Sequence, residues 1–319
     1  MTQSTAAQPT PPTTPLQLSA TAFGWLGQFR AMASPCEILL GPCDELMARQ
    51  LCAAAAAEAW RIEAKFSRYR QSSTLSQLNQ HTGQWQKLDS ETLSLLQFSK
   101  QCFELSDGMF DISSGILRKV WKFDGSDNLP SDDAVAALLP FIGFDRVELT
   151  ADSAFIPAGM ELDLGGIAKG YTVERSVQIL AKMGIRHALV SAGGDTRLLG
   201  DKRGQPWLVA IKHPRQEDRY AAQLPMVDSA ISTSGDYERY FIEDGRRYHH
   251  ILDPKTGESP GELMSVSVIG ADATQTDALS TTLFVLGLER GMALIEQIPG
   301  YEAVFINKDR KLFFSSGLQ

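Results

Sequence analysis

The chain lacks most of the motifs that identify a nucleotide-binding or metal-binding protein. It has neither the GxxxxGK[ST] phosphate loop nor the GxGxxG fingerprint, which excludes the two commonest nucleotide-binding motifs. Only four cysteines and five histidines occur among its 319 residues. No CxxC pair is present and no histidine pattern completes a zinc site, so we expect the thiols to be core residues and not a disulfide framework.

The chain also lacks an excess of basic charge. Its 30 Lys and Arg residues against 38 Asp and Glu give a net charge of −8, which argues against nucleic acid or an anionic membrane as a partner. No apolar run reaches transmembrane length, and residues 1–15 contain neither the basic nor the apolar region of a signal peptide. We expect a cytoplasmic protein, or a periplasmic one only if an export signal is missing from this sequence.

The apolar pattern predicts an α+β fold with mixed or antiparallel sheets and flanking helices, because the order of elements is irregular and not a steady strand–helix alternation. The expected organisation is a disordered tail over residues 1–22 and a single domain over 23–319. The predicted helices are 44–66, 75–79, 90–107, 131–139, 173–180, 274–286 and 289–297. The predicted strands are a pair within 23–40 that is interrupted at Ser34-Pro35, and 146–149, 154–156, 187–191, 207–212, 229–232, 237–242, 247–252, 265–269, 301–306 and 311–314.

The most informative segment is Asp163–Tyr171, which reads DLGGIAKGY between a predicted strand and a predicted helix. Such turns present backbone N–H groups and a helix dipole to an anion. Gly165 and Gly166 would permit close approach of a ligand. Asp163 would accept a hydrogen bond from a polar group of that ligand, and Lys169 would offset its negative charge. A tight turn with a helix cap explains the pattern equally well, since glycine pairs are common in turns.

A second candidate is the pair Asp277 and Thr281, which lie four residues apart and share one face of a predicted helix. A carboxylate and a hydroxyl are hard oxygen ligands suited to Mg²⁺. Thr274 and Asp277 also resemble a capping box, and the two interpretations are compatible if the first helical turn binds metal.

Other candidates are weaker when taken singly. His249 and His250 are adjacent on a predicted strand and point to opposite faces, so at most one is a general base or a ligand contact. Tyr69 either stacks on an aromatic ligand or covers the edge of the core. Asp111 lies in a turn beside a buried aromatic residue. The glycine pair and carboxylate of Ser191–Thr196 at a strand end resemble a ligand-facing rim, although a plain turn is the more typical interpretation.

Together and in this order, these segments resemble the ApbE-type flavin transferases, the FAD:protein FMN transferase family. The resemblance runs from about residue 25 to the C-terminus. Met32-Ala33-Ser34 stands where the family usually has Met-Gly-Thr. The matching segments are Ala31–Pro35, Phe66–Arg70 with Leu78-Asn79, Asp107–Gly115, Asp163–Tyr171, Ser191–Asp195, Thr233–Tyr240, His249–Gly257 and Asp277–Thr281.

The resemblance implies an ApbE-like fold with an FAD cleft between two lobes. It implies Mg²⁺-dependent transfer of FMN from FAD to a Thr or Ser hydroxyl of a target flavoprotein, with release of AMP. An FAD pyrophosphatase that yields FMN and AMP is an alternative with the same chemistry. A non-catalytic flavin-binding protein is an alternative from another class.

Matched by motif position, the resemblance also implies roles for individual residues. The metal ligands would be the Gly166 carbonyl, Asp277 and Thr281. The base that accepts the proton of the attacking hydroxyl would be His250 or Asp277, and the sequence does not choose between them. The implied FAD contacts are Met32, Tyr69, Met109, Phe110, Asp111, Asp163, Lys169, His250 and Ile251.

Overall fold

A computed structural model describes residues 15–123, 125, 129–216 and 218–319. Within these residues, nine of the strands form one sheet in which every neighbouring pair is antiparallel. The strands are β1 (Gln17–Ala20), β2 (Trp25–Ala31), β3 (Ser34–Leu40), β4 (Trp85–Lys87), β5 (Glu148–Leu149), β6 (Ser153–Phe155), β7 (Ala188–Ala192), β8 (Asp195–Leu199), β9 (Trp207–Lys212), β10 (Tyr220–Met226), β11 (Ala230–Gly235), β12 (Tyr240–Glu243), β13 (Arg246–His249), β14 (Leu263–Gly270), β15 (Glu302–Asn307) and β16 (Leu312–Phe314).

The order of strands in the large sheet is β1-β2-β3-β7-β8-β11-β14-β15-β16. Three smaller units, β9–β10, β12–β13 and β4-β6-β5, lie outside it. Short 3₁₀ segments occur at Ile112–Lys119, Leu139–Phe141, Phe144–Arg146 and Ser316–Leu318. The α-helices are α1 (Glu45–Phe66), α2 (Thr74–Gln80), α3 (Ser90–Leu105), α4 (Asp132–Ala136), α5 (Ala168–Lys182) and α6 (Ala273–Ile295).

Helix α1 illustrates why the predicted helices form where they do. The Asp44 side chain caps it by accepting from the N–H of Met47 at 2.8 Å. Its alanine-rich face, together with Leu51 and Cys52, packs against α5 and the strands β2, β3 and β7 in one core cluster. Small side chains on that face let the helix lie close to the sheet, so α1 is a rigid support beneath the turns that follow it.

The large sheet is covered on both faces. Helices α1, α5 and α6 pack on one face, and the hairpin β9–β10 packs on the other through Trp207 and Met226. Strand β14 is buried along nearly its whole length because it lies between these two layers. A second core cluster, formed by the end of α1 with α2 and α3, supports the segment that leads into α5.

Helix α6 has the length and composition of a membrane span, with a mean hydropathy of 1.4 over its most apolar 18-residue window. However, 56% of that window is buried inside the protein, and the helix packs against β11, β14 and β15 as a core helix. Gly287 interrupts it with φ 79°, and the Leu288 N–H that this break exposes donates to Glu262 Oε1 at 3.1 Å. The two helices predicted at 274–286 and 289–297 are therefore the two halves of α6.

Several sequence predictions need correction. Residues Gln17–Ala20 pair with β2, so the predicted tail over 1–22 extends too far, while residues 1–14 lie outside the described part of the chain. The interruption between β2 and β3 is at Met32–Ala33, and Ser34 and Pro35 belong to β3. Strands β8 and β10 were not expected, and α5 begins at Ala168 instead of Val173.

Candidate active site

The centre of the candidate site is the contact between α5 and α6 at Gly170. A Cβ at this position would lie only 2.6 Å from Asp277 Cβ and would also overlap the Ala273 carbonyl, so only glycine permits the contact. The Gly170 N–H donates to Asp277 Oδ2 at 2.9 Å. In a regular helix it would donate to the Gly166 carbonyl. No hydrogen bond to that carbonyl occurs among the described residues, so it is free to bind a ligand.

Lys169 lies between two buried carboxylates. Its Nζ is 2.9 Å from Asp195 Oδ2 and 3.9 Å from Asp277 Oδ1. Asp195 is 1% exposed and Asp277 is 2% exposed. Burial by itself lowers the pKa of Lys169, but the charges of Asp195 and Asp277 outweigh burial and raise that pKa above 10.5. Two carboxylates thus share one ammonium group, so both can be ionised without excess negative charge only beside a further cation.

The shortage of positive charge affects Asp277 most. Burial, and then the charge of Asp195, raise the pKa of Asp277 to about 8, against the opposing effects of Lys169 and the Gly170 N–H. A cation bound beside Asp277 would relieve this repulsion. The local electrostatics therefore fit a cation-binding site.

Hydroxyl groups on β11 hold the adjoining face of α6. Ser234 Oγ lies 3.0 Å from Thr281 Oγ1 and 2.9 Å from Ser280 Oγ. Helix α6 is capped by Asp272, whose side chain accepts from the Gln275 N–H at 2.9 Å, so the capping-box interpretation of Asp277 is wrong. Asp277 and Thr281 are consequently not needed to begin the helix.

The donor set matches the chemistry of Mg²⁺, which prefers hard oxygen ligands and few carboxylates. The described residues contain no cluster of three or more His, Cys, Asp or Glu side chains suited to a metal. A site here therefore depends on one carboxylate, from Asp277, together with the Thr281 hydroxyl and the free Gly166 carbonyl. The three predicted ligands meet these requirements, although their role as ligands stays a prediction.

Asp163 is held in place by two arginines. Arg68 Nη1 lies 3.0 Å and Arg118 Nε 3.3 Å from Asp163 Oδ2, while Oδ1 accepts from the Gly165 N–H at 2.9 Å. Burial lowers the pKa of Arg118, and the charges of Arg68 and Arg239 lower it further against the opposing effect of Asp163. Two arginines thus contact one carboxylate, and Arg239 lies near enough to Arg118 to affect its pKa, so Arg68, Arg118 and Arg239 form a cationic wall suited to a phosphate group.

Tyr69 lies at the edge of this cationic wall with its side chain exposed. Its hydroxyl accepts from Arg68 Nη2 at 2.8 Å, and the Arg68 guanidinium lies 4.7 Å from the ring centroid. Partial burial raises the pKa of the phenol, but the Arg68 hydrogen bond and the charges of Arg118 and Arg239 lower it below 10.0. The open ring face is suitable for stacking on a flat aromatic ligand.

The two adjacent histidines occupy different environments. His249 is in the core, where Nε2 donates to the Pro260 carbonyl at 2.7 Å and the ring packs edge-on against Phe284. His250 follows β13 and lies near Arg239, whose carbonyl accepts from the His250 N–H at 3.1 Å. Burial, and then the charges of Arg239 and Arg118, hold the pKa of His250 well below 6.5, so its ring is neutral.

The structure buries the side chains of the predicted cleft segment Met109–Asp111. Met109 belongs to a core cluster with Ile251, and Phe110 packs under Gly166, where an added Cβ would lie 3.1 Å from its ring. Asp111 caps the following 3₁₀ segment by accepting from the Ser113 N–H at 2.7 Å and the Phe144 N–H at 3.1 Å. These side chains support the wall of the site from behind, and their contact with FAD stays a prediction.

Met32 occupies the turn between β2 and β3. Its backbone N–H donates to Glu63 Oε1 at 3.0 Å, and its partly buried side chain packs against the two core clusters that meet beside α1. The turn is therefore tied to α1, and Met32 is held at the border between these clusters. Its flavin contact also stays a prediction.

Comparison with known proteins is consistent with this geometry. The profile of the ApbE family matches residues 32–305. The FAD:protein FMN transferase of Treponema pallidum (strain Nichols) is 36% identical, over 80% of this chain and 76% of its own length. The FAD:protein FMN transferase of Vibrio cholerae is 35% identical, over 81% of this chain and 80% of its own. The chain belongs to the ApbE family.

Solved structures of ApbE proteins share the fold. The crystal structure of the Thermotoga maritima ApbE protein has a TM-score of 0.85 at 32% identity, and the match covers 95% of this chain and 98% of that one. The flavin transferase ApbE of Vibrio cholerae has a TM-score of 0.81 at 29% identity, with the same coverage. The predicted α+β class and ApbE-like fold are confirmed.

Sequence reasoning missed several residues of this ApbE site. Arg118 lies outside every matching segment, and Arg239 lies within Thr233–Tyr240 but was given no role, because the two arginines and Arg68 come together only in the folded chain. Asp195 was recognised as a carboxylate at a strand end that resembles a ligand-facing rim, but a plain turn was preferred and Asp195 was given no role of its own.

Proposed function

We propose that the protein is a Mg²⁺-dependent FAD:protein FMN transferase that moves FMN from FAD to a Thr or Ser hydroxyl of a target flavoprotein and releases AMP. Membership of the ApbE family and the names of its relatives support the transfer of flavin. The observation that carries the finer proposal is that Asp195 and Asp277 share the single charge of Lys169, so that a further cation would favour ionised Asp277, together with the free carbonyl of Gly166. It offers a place for a divalent cation close to a cationic wall for phosphates.

The reaction is a phosphoryl transfer in which the protein mainly positions donor and acceptor. Bound Mg²⁺ would act as a Lewis acid that offsets the charge of the two linked phosphates. The target hydroxyl oxygen forms a bond to the phosphorus of the FMN moiety, and the bridging P–O bond breaks so that AMP leaves. Arg68, Arg118 and Arg239 would hold the pyrophosphate, and Tyr69 would stack on the flavin.

The attacking hydroxyl must lose its proton, and His250 is the better acceptor. Its ring is neutral because burial and the charges of Arg239 and Arg118 lower its pKa, so the ring can accept a proton. Asp277 is less suitable, since Oδ2 already accepts from the Gly170 N–H and Oδ1 faces Lys169. We therefore assign the general base to His250.

Incubation with FAD, Mg²⁺ and a flavoprotein acceptor domain tests the proposal. The acceptor should gain the mass of one FMN while AMP appears, and EDTA should stop both. His250→Gln should lower kcat by about 10²–10⁴-fold, a much larger effect than any change in FAD affinity, because the main role of the ring is to accept the proton. The control is His81→Gln, at an exposed position on the end of α2.

The products separate the alternatives. AMP and free FMN formed at a rate that the acceptor does not change would indicate a pyrophosphatase. FAD that stays intact with Mg²⁺ present would indicate a flavin-binding protein and would contradict the proposal.

A further inference from the structure

Lys169 is the closest cation to the proposed metal ligand Asp277, and it competes with a metal ion for the same oxygen. Asp277 Oδ2 is occupied by the Gly170 N–H, which leaves Oδ1 for a cation. Lys169 Nζ lies 3.9 Å from that oxygen, too far for a hydrogen bond but near enough for strong attraction. Something must keep the ammonium from closing this gap.

We propose that Asp195 is a positioning residue that holds the Lys169 ammonium away from Asp277 and so keeps Asp277 available to a divalent cation. The Lys169 Nζ is hydrogen-bonded to Asp195 Oδ2 at 2.9 Å, a full ångström closer than to Asp277. This inference rests on the proposed Mg²⁺-dependent function. It gives Asp195 a role that requires no direct contact with metal or substrate.

The fold fixes Asp195 for this task. It begins β8, where it pairs with Ala192 on β7 and with Ser232 on β11, so its backbone is held from both sides. The Lys169 side chain passes the preceding turn, where a Cβ on Gly193 would lie 3.9 Å from Lys169 Cδ. Lys169 itself is in the first turn of α5, one residue before the Gly170 contact with Asp277. The three groups are thus carried by three separate rigid elements.

Removal of the Asp195 charge should redirect Lys169. Asp195→Asn is nearly isosteric, but among the described residues the carboxylate left near the ammonium would be Asp277, so the ammonium would move toward Asp277 Oδ1. A gap that closes from 3.9 Å to hydrogen-bond distance strengthens the attraction enough to weaken cation binding by about tenfold. Lys169→Met keeps the apolar stem and removes the competing charge.

A double-mutant cycle measured by Mg²⁺ titration calorimetry on the full chain without FAD tests this inference. Asp195→Asn should bind Mg²⁺ about tenfold more weakly, and Lys169→Met should bind at least as tightly as the unmodified protein. The decisive quantity is the factor by which Lys169→Met increases the Mg²⁺ affinity. This factor should be at least about twofold larger in the Asp195→Asn background than in the unmodified protein. Asp152→Asn, on an exposed turn, is the charge-matched control and should change nothing.

The coupling separates this inference from simple charge effects. If the ammonium never moves, the two substitutions act independently and their effects on Mg²⁺ affinity multiply, which would overturn the proposal. Equal weakness in the single and double variants would make Asp195 a direct ligand and would also overturn it. Undetectable Mg²⁺ binding by the unmodified protein, measured with FAD absent and present, would also overturn the proposal.

Two further measurements complete the test. A crystal structure of Asp195→Asn should show Lys169 Nζ within hydrogen-bond distance of Asp277 Oδ1, and an ammonium that stays beside residue 195 contradicts the inference. If Asp195→Asn does not fold, Asp195→Ala takes its place in the cycle. FMN transfer is assayed separately, so a failure of transfer with an intact coupling would refute the proposed function and leave this inference standing.

Discussion

At the scale of single residues, the turn between β2 and β3 carries local strain. Met32 and Ala33 have φ values of 54° and 55°, in the left-handed region that favours glycine. A side chain there costs about 1–2 kcal/mol. Hydrogen bonding of the Met32 N–H to Glu63 and full pairing of the two strands hold the turn in this conformation. The glycine that the family usually has after this methionine is therefore explained by backbone geometry.

Ala33→Gly should raise the free energy of unfolding by about 0.5–1 kcal/mol. Relief of the left-handed strain is larger than the extra freedom that glycine gives the unfolded chain, which is worth about 0.4–1 kcal/mol. Urea unfolding at neutral pH measures the difference. Because Ala33 is exposed, no packing is lost.

The matched control is Ala31→Gly, two residues earlier on β2. Ala31 is buried in the core cluster beside α1, so glycine there should lower the free energy of unfolding by about 1 kcal/mol. A lower stability of both variants would show that the turn is not strained in solution.

At the scale of elements, Glu91 joins three helices. It lies in the first turn of α3 and accepts from Arg61 Nη2 at 2.6 Å and Lys65 Nζ at 2.7 Å on α1, and from the Tyr171 hydroxyl at 2.8 Å on α5. Partial burial raises the pKa of Glu91, but the bonds from Arg61, Lys65 and Tyr171 outweigh burial and lower that pKa from 4.5 to about 2. The packing of α1, α3 and α5, which support the site, therefore depends on the protonation state of Glu91 and so on the pH.

The direction of the pH effect follows from the lowered pKa. A carboxyl group whose pKa is lower in the folded chain stabilises the fold above its unfolded pKa of 4.5, and this contribution is lost as the pH falls toward about 2. Glu91→Gln should lower the free energy of unfolding by about 1–3 kcal/mol at pH 7 and flatten its decline between pH 4.5 and 2. Urea unfolding across this range measures the free energy of unfolding at each pH.

Glu148→Gln, an exposed control on β5, should keep the original pH dependence of the free energy of unfolding. An unchanged pH dependence for Glu91→Gln would show that the network contributes nothing to stability.

Helix α5 shows how far the sequence could predict the fold and the site. The apolar spacing over 173–180 predicted its body, because local periodicity is enough to identify an amphipathic helix. Its true start at Ala168 could not be predicted, since the Gly170 N–H is satisfied by Asp277, which is 107 residues away. The motif placed Lys169 near a ligand, but only the folded chain shows that two carboxylates compete for it.

The strands show the same limit. The turns between the predicted strands at 237–252 and 301–314 were placed nearly right because turn residues mark them locally, although the outer ends of the first pair extend three residues too far on each side. Strand β8 was missed because Asp195 and its preceding glycines are typical of a turn, and its pairing with β7 and β11 is decided by the rest of the sheet. The cationic wall was missed for a similar reason, since Arg68, Arg118 and Arg239 are far apart in the sequence and come together only in the folded chain.

At the scale of the whole molecule, the candidate site collects groups from distant parts of the chain. Tyr69 lies between α1 and α2, Asp163 precedes α5, Asp195 begins β8, His250 follows β13 and Asp277 is on α6. Ligands that bind these groups bind only the folded chain, so they should stabilise every element that contributes. FAD and Mg²⁺, each at about 100 times its dissociation constant, should each add about 2.7 kcal/mol to the free energy of unfolding.

The two stabilisations should also be coupled. The FAD pyrophosphate is negative and would lie near the Mg²⁺ that Asp277 would hold, so the opposite charges should make each ligand bind better when the other is present. The rise in Tm with FAD and Mg²⁺ together should exceed the sum of the separate rises. Differential scanning calorimetry, with KCl at matched ionic strength as the control, measures this excess.

Asp277→Asn can still accept a hydrogen bond from the Gly170 N–H, so this variant should keep the fold and lose the excess rise in Tm. An Asp277→Asn protein that retains the full excess would show that the metal binds elsewhere.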